Sequence, residues 1–221
     1  KPHLDKAGIR PVFECDQPGI VATRQAQGDI EYLFAVNATH DLEGDPQVGV
    51  KAVTARIELP GDGRPVYDAV HARPEPGFAA AGGRLGGSFR FGPGQMRVFA
   101  RTARPIGGVR VAAPIVHRDL AAAGNAVSLA VSAVVVDTAG GALGGAVPMR
   151  VRVLDPQGTP RYDLYRAAAQ GVLSLSVPLG INEPPGNWQV TVQELLGGNQ
   201  GQAAFAVAPL AQCASLVGTA P

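Results

Sequence analysis

Polar and apolar residues alternate with period two along much of the chain, and residues 147–158, VPMRVRVLDPQG, are the clearest example. Successive side chains of a β-strand point to opposite faces, so this pattern predicts a strand with an apolar core face and an arginine-bearing outer face. The core residues are Val147, Met149, Val151 and Val153, and the outer residues are Arg150 and Arg152. Asp155-Pro156-Gln157-Gly158 then favours a tight turn. The stretch predicts one edge of a hairpin in a two-layer sandwich.

The second half of the chain repeats this pattern after RPIGG at residues 104–108, where we predict a domain boundary. Gly, Pro, Asn and Asp clusters separate seven predicted strands. The strands cover residues 109–117, 126–137, 147–155, 160–167, 171–179, 187–195 and 201–209. Seven short strands in about 100 residues are typical of an immunoglobulin-like β-sandwich.

The first half also has the pattern of strands and lacks a 3.6-residue apolar period. Its predicted strands cover residues 11–15, 19–25, 28–39, 50–59, 66–72, 87–91 and 96–103. In the third of them, Ile30, Tyr32, Phe34 and Val36 share a face. The Gly-rich stretch AAAGGRLGGS, 79–88, lacks the Gly-Lys-Ser/Thr ending of a phosphate loop, and we predict a flexible connection.

The prediction is therefore an all-β fold of two tandem β-sandwich domains, the second immunoglobulin-like. The domains cover residues 1–106 and 107–211, and residues 212–221 form a tail or linker. The high content of Gly (29) and Pro (19) agrees with short strands and tight loops.

The net charge of +1 with scattered basic residues argues against a nucleic-acid partner. No apolar run approaches the roughly 20 residues that span a bilayer.

The second half resembles the immunoglobulin-like MG2 domains of bacterial alpha-2-macroglobulins. The resemblance is carried by VVVDTAGGALGGAVPMRVRVLDPQG, 134–158, and by GVLSLSVPLGINEPPGNWQVTVQE, 171–194. It implies an extracellular sandwich fold more than an activity. The Cys-Gly-Glu-Gln thioester run of true macroglobulins is absent from the sequence, so covalent trapping of proteases is not implied.

The first half resembles the C-terminal β-sandwich that follows the catalytic barrel of many glycoside hydrolases. The residues that carry this resemblance are EYLFAVNAT, ARIELPGDGRPVYDAV and FRFGPGQMRVFA, in that order. Such a domain usually has no catalytic residues, and its barrel would lie before Lys1. The chain also opens without Met and without a signal peptide's apolar segment, which favours a mature protein or a piece of a longer one.

Three groups of residues are candidates for binding or catalysis. Asp41, Glu43 and Asp45 alternate in a loop, where they predict either a calcium site or a solvated acidic loop. Asp29 and Glu31 share a strand face and could form the carboxylate pair of a glycosidase, about 5–10 Å apart, or simply a soluble surface. Trp188 begins a strand, where it is either a core residue or a sugar-stacking platform.

Cys15 and Cys213 lie near opposite ends of the chain and could form one disulfide or remain two thiols. The four isolated histidines do not have the spacing of a zinc site. We therefore expect no catalytic residues and no cofactor other than calcium.

The favoured function is a non-catalytic accessory or structural region of a larger secreted, periplasmic or envelope bacterial protein, with neighbouring domains of the same polypeptide as partners. The alternatives are a carbohydrate-binding module, with polysaccharide as its partner, and a glycosidase.

Overall fold

The computed structural model describes residues 6–8, 11–40, 49–119 and 126–209, and its regular elements are all β-strands. Within these residues the strands are β1 (Glu14–Cys15), β2 (Ile20–Gln27), β3 (Ile30–Asn37), β4 (Val53–Pro60), β5 (Val66–Asp68), β6 (Arg73–Pro74), β7 (Ala79–Ala81), β8 (Arg84–Phe91), β9 (Met96–Thr102), β10 (Ile106–Val111), β11 (Ile115–Asp119), β12 (Ala126–Asp137), β13 (Val147–Leu154), β14 (Pro160–Ala168), β15 (Val172–Leu179), β16 (Gly186–Glu194) and β17 (Gln200–Val207). None of the described residues belongs to a helix with the length and hydrophobicity that crossing a membrane requires.

The chain divides into two compact units. Unit 1 comprises Lys1–Ala26 and Glu31–Ala103, and unit 2 comprises Gln27–Ile30 and Arg104–Pro221. The domain limits 1–106 and 107–211 stay a prediction, because a folding domain is defined by more than compactness. The predicted tail at 212–221 lies outside the described residues.

Unit 1 is built from two antiparallel sheets, with strand orders β1-β4-β8-β7 and β2-β3-β9-β5-β6. Its core takes buried apolar side chains from both sheets, among them Ile57 of β4, Phe91 of β8 and Phe99 of β9. Burying large apolar side chains between two sheets is the main stabilising contribution in a sandwich. The predicted all-β sandwich class is therefore confirmed for this unit.

Strand β3 places its aromatic residues on the face opposite to the core. Tyr32, Phe34 and Val36 share a face, as predicted, but they are only half-buried, whereas Leu33 and Ala35 are buried in the core. Asn37 lies on the core side, where its amide nitrogen donates to the carbonyls of Lys51 and Gly92 at 2.6 and 2.8 Å. Leu33 and Ala35, rather than the larger Tyr32 and Phe34, therefore pack against the opposite sheet.

The predictions for three segments are wrong, and the strands predicted at 11–15 and 50–59 begin three residues later, at Glu14 and Val53. The strand predicted at 66–72 ends at Asp68, whose carboxylate accepts hydrogen bonds from the backbone of Val70 and His71 and begins a turn. The strand predicted at 109–117 is interrupted between β10 and β11, where Pro114 has no N–H for a sheet ladder. The stretch 79–88 forms the β7–β8 hairpin rather than a flexible connection, because Gly82 and Gly83 adopt φ of +58° and +74°, as a type I′ turn requires.

Unit 2 also contains two antiparallel sheets. In the first, β10 and β11 pair in succession with one edge of β12, and β15 pairs with the other edge. The second has the order β14-β13-β16-β17. β12 begins and ends as predicted, at residues 126 and 137. The immunoglobulin-like assignment of this unit stays a prediction, whereas its all-β class is confirmed.

The hairpin predicted from residues 147–158 is present in unit 2. The four residues of β13 that were predicted to face the core are fully buried, and they are Val147, Met149, Val151 and Val153. The carboxylate of Asp155 accepts hydrogen bonds from the backbone N–H groups of Gln157 and Thr159, both at 2.9 Å, and Gly158 adopts a φ of +81°. Local side-chain bonding and a glycine in the left-handed region thus form the turn that the sequence predicts.

Candidate functional site

The β14-β13-β16-β17 sheet of unit 2 has one buried face and one polar face. The alternation of burial along β13 assigns Arg150 and Arg152 to the side opposite the core. A set of nine polar or aromatic residues lies on that side, as the strand registers show. We call this set the polar face; its members are Arg150, Arg152, Asp163, Tyr165, Gln189, Thr191, Gln193, Gln200 and Gln202.

The antiparallel registers arrange the polar face in two complete rows. The first row runs Tyr165, Arg150, Gln193 and Gln200, one residue from each strand, and the second runs Asp163, Arg152, Thr191 and Gln202. Neighbouring strands lie about 4.8 Å apart, so each row extends about 14 Å across the sheet. The side chains of the first row stand side by side along a line long enough for an extended ligand, whereas Thr191 in the second row is buried.

Arg150 and Asp163 hold each other in a fixed geometry on the polar face. Arg150 Nε donates to Asp163 Oδ1 at 2.8 Å, and Arg150 Nη2 donates to Asp163 Oδ2 at 2.5 Å. The hydrogen bond from Arg150 lowers the pKa of Asp163, and the same bond raises the pKa of Arg150. The guanidinium carbon also lies 5.8 Å from the centre of the Tyr165 ring. Both charged groups are thus ionised and oriented at neutral pH.

The glutamines of β16 are also held by hydrogen bonds. Gln189 Nε2 donates to Gln202 Oε1 at 3.0 Å, and Gln193 Nε2 donates to the carbonyl of Gly198 at 3.3 Å. Each of these amides keeps further donor or acceptor capacity, because a primary amide has two N–H groups and two lone pairs. The β16–β17 side of the polar face therefore offers oriented neutral hydrogen-bonding groups.

The first row ends beside a shallow depression of about 580 Å³ in unit 2. Gln200, Arg110 and Asp137 line it, together with the backbone of Gly107 and Gly108. This volume is within the usual range of sites that hold small organic molecules.

The aromatic residue available to a ligand on the polar face is Tyr165, which is 61% exposed. Trp188 is 1% exposed and lies on the core side of β16, where its ring packs 6.0 Å from that of Phe205. Its Nε1 donates to the carbonyl of Pro184 at 2.9 Å. A buried ring offers no face to a sugar, so the sugar-stacking prediction for Trp188 is wrong and the core alternative is right.

Asp29 and Glu31 are both bound by arginine side chains. In unit 1, Glu31 accepts from Arg24 Nη2 at 2.7 Å and from Arg101 Nη1 at 2.5 Å. Burial acts to raise the pKa of Glu31, but the bonds and charges of the two arginines outweigh it, and the net pKa is lowered. In unit 2, Asp29 accepts from Arg104 Nη2 at 3.1 Å. The acid catalyst of a glycosidase requires a raised pKa, whereas the pKa of Glu31 is lowered.

The predicted calcium ligands Asp41, Glu43 and Asp45 lie outside the described residues, and that site stays a prediction. Residues 6–8, 11–40, 49–119 and 126–209 contain no group of three or more His, Cys, Asp or Glu side chains placed to hold a metal.

Cys15 belongs to unit 1 and lines a cleft of about 130 Å³ with Asp16, Arg56, Glu14 and Glu58. Burial raises the pKa of its thiol, and the charge of Asp16 acts in the same direction. Its proposed disulfide partner, Cys213, lies outside the described residues. The disulfide therefore stays a prediction.

Sequence reasoning missed the polar face because no motif marks it. Its signal is a run of polar residues in alternate positions, Gln189, Thr191 and Gln193 in NWQVTVQEL, followed by Gln200 and Gln202 in QGQ. Such alternation predicts an outer sheet face but does not say which strands are neighbours. The pairing of β13 with β14 and β16 brings these residues beside the arginines.

No protein-family model matches the chain, and no curated protein matches it. Among solved structures, the chain is similar to the Spr0440 glycoside hydrolase domain, Endo-D, from Streptococcus pneumoniae R6, with 8% sequence identity and a TM-score of 0.29. The match covers 88% of this chain and 37% of that one. A likeness this low carries no argument about activity. The resemblance to macroglobulin MG2 domains is not shown by these comparisons and stays a prediction.

Proposed function

We propose that the chain is a non-catalytic accessory region of a larger secreted or envelope protein, and that it binds polysaccharide on the polar face of unit 2. The observation that carries the proposal is the row in which Tyr165, Arg150 and Gln193 stand side by side, with Arg150 held by Asp163. Sugars present C–H groups on their ring faces and hydroxyl groups at their edges. An exposed tyrosine ring beside oriented donors and acceptors complements both.

The pre-formed geometry of the polar face supports binding over mere solvation. The Arg150–Asp163 and Gln189–Gln202 pairs restrain four side chains, three of them long, before a ligand arrives. Restraining these side chains in advance reduces the conformational entropy lost on binding, which costs about 0.5–1.5 kcal/mol for each side chain immobilised. The open row also suits an extended polymer, which a deep pocket would not accept along its length.

The test is affinity electrophoresis of the full chain against a panel of neutral and acidic polysaccharides, with and without calcium. We expect at least one polymer to retard the protein, and Tyr165→Ala to weaken that retardation about tenfold or more. Tyr162→Phe is the matched control, because Tyr162 lies on the other side of β14 and its hydroxyl donates to the carbonyl of Pro178.

Two outcomes contradict the proposal. Retardation that is equal in the wild type and in Tyr165→Ala would remove the polar face as the binding surface. A folded protein that no polymer retards would leave the chain as a spacer for neighbouring domains. Calcium-dependent binding would point instead to the predicted calcium ligands Asp41, Glu43 and Asp45.

A further inference from the structure

Arg152 lies in the middle of the polar face, and its guanidinium has no hydrogen-bond or ion-pair partner among the described residues. Its register partners are Asp163 on β14 and Thr191 on β16. The Asp163 carboxylate is already engaged by both hydrogen bonds from Arg150. Arg152 makes no hydrogen bond or ion pair with any described residue, although its charge helps to lower the pKa of Asp163. Arg152 is half-buried as a residue, and its guanidinium keeps its N–H donors available.

The polar face carries an excess of positive charge. Its charged members are two arginines and one aspartate, and the aspartate is neutralised by Arg150. The remaining members are neutral hydrogen-bonding groups and one phenol. A planar guanidinium fork binds a planar carboxylate through two parallel hydrogen bonds. A neutral sugar would leave this capacity of Arg152 unused.

We infer, on the basis of the proposed function, that the bound polysaccharide is a polymer of uronic acids and that Arg152 pairs with the carboxylate of one sugar. Tyr165 and Arg152 are diagonal neighbours on adjacent strands, about 7–8 Å apart. A sugar stacked on the Tyr165 ring therefore places the carboxylate of an adjacent sugar over Arg152. Arg150, fixed by Asp163, faces the hydroxyl groups between them.

The experiment compares each uronate polymer with its carboxyl-reduced form, which keeps the sugar backbone and loses the charge. Polygalacturonate, alginate and hyaluronate are tested by titration calorimetry on the full chain. We expect at least one acidic polymer to bind about tenfold more tightly than its reduced form, and Arg152→Gln to abolish that difference. We also expect the difference to shrink as salt rises, because salt screens exposed charges.

Arg166→Gln is the matched control. It removes the same charge from the same sheet, but Arg166 lies in register with the buried Met149, on the other side of β14, and donates to the carbonyl of Tyr165. We expect this variant to keep the preference for the acidic polymer. Thermal unfolding of both variants reports whether either change affects folding.

The outcomes separate this inference from the proposed function. The uronate inference is overturned if acidic and reduced polymers bind equally, or if the preference for the acidic polymer survives Arg152→Gln. Polysaccharide binding on the polar face still stands in either case, provided that Tyr165→Ala weakens it. Binding of no polymer, or binding unaffected by Tyr165→Ala, overturns both.

Discussion

Arg150 and Asp163 meet across β13 and β14 in a two-bond fork, with distances of 2.8 Å from Nε to Oδ1 and 2.5 Å from Nη2 to Oδ2. Both side chains are more than a third exposed, at 35% and 39%. Water therefore screens the pair, and an exposed ion pair of this kind contributes little to stability. The fork orients Arg150 more than it stabilises the fold.

We expect Asp163→Asn to change the free energy of unfolding only slightly, because the pair is solvent-screened. The same change releases Arg150 from its fixed orientation and should weaken binding of a carboxyl-reduced polysaccharide several-fold. Urea unfolding and calorimetry measure the two effects. A loss of stability as large as that from a core mutation would show that the pair has a structural role instead.

Glu194 stabilises the β16–β17 connection. It is fully buried, and its carboxylate accepts hydrogen bonds from the backbone of Leu196, Gly197 and Asn199, as well as from the Asn199 side chain. We expect Glu194→Ala to destabilise unit 2 by about 3 kcal/mol, because it leaves buried N–H groups without an acceptor.

Glu194→Gln should cost less than Glu194→Ala, since the amide keeps one acceptor oxygen. Glu183→Gln is the control, because Glu183 pairs with the exposed Arg161 and should change stability by about 1 kcal/mol or less. Urea unfolding measures all three variants. Equal stability of Glu194→Ala and the wild type would refute the proposed role of this carboxylate.

Acid should destabilise unit 1 through Glu31 and Asp68. Burial acts to raise both pKa values, but the arginines around Glu31 and the hydrogen bond of Asp68 with His71, at 2.6 Å, outweigh it, so both folded-state pKa values are lowered. The stabilising contribution is therefore complete above the unfolded-state pKa values, about 4.3 and 3.9, and is lost as the pH falls through the lower folded-state values.

The measurement is the free energy of unfolding of unit 1 between pH 2 and 7, followed by hydrogen exchange in β3 and β5. We expect Glu31→Gln and Asp68→Asn each to flatten the acid limb of the profile. An unchanged slope in both variants would contradict the assignment. The variants are also expected to be less stable than the wild type at pH 7, because each removes a buried charge that has partners.

Gly171 and Gly158 both adopt a positive φ, +73° and +81°, but only Gly171 is closely packed. A Cβ atom at Gly171 would lie 1.7 Å from the carbonyl oxygen of Leu143, whereas nothing lies within 4 Å of a Cβ at Gly158. We expect Gly158→Ala to cost about 1–2 kcal/mol from backbone strain alone. Gly171→Ala should cost about 4 kcal/mol, because overpacking adds to the strain. Thermal unfolding compares them, and equal losses would contradict the packing argument.

The sequence predicted best where a strand has one buried and one exposed face. β12 and β13 were found within one residue of their limits because valine and leucine alternate with small or polar residues there. The predictions for residues 66–72 and 79–88 failed because their turns depend on the Asp68 carboxylate and on two left-handed glycines. Local turns of this kind compete with the strand pattern and carry little periodic signal.

The sequence alone therefore determined the all-β class, most strand positions and the turn at Asp155–Gly158, because these depend on side-chain period and local backbone preference. Only the tertiary structure decided that Trp188 is buried, that Leu33 and Ala35 rather than Tyr32 and Phe34 meet the core, and that Arg152 stands beside Asp163 and Thr191. These outcomes depend on which strands pair and in which register. The two-residue alternation of polar and apolar side chains defines two faces for each strand, but it does not specify which strands are neighbours.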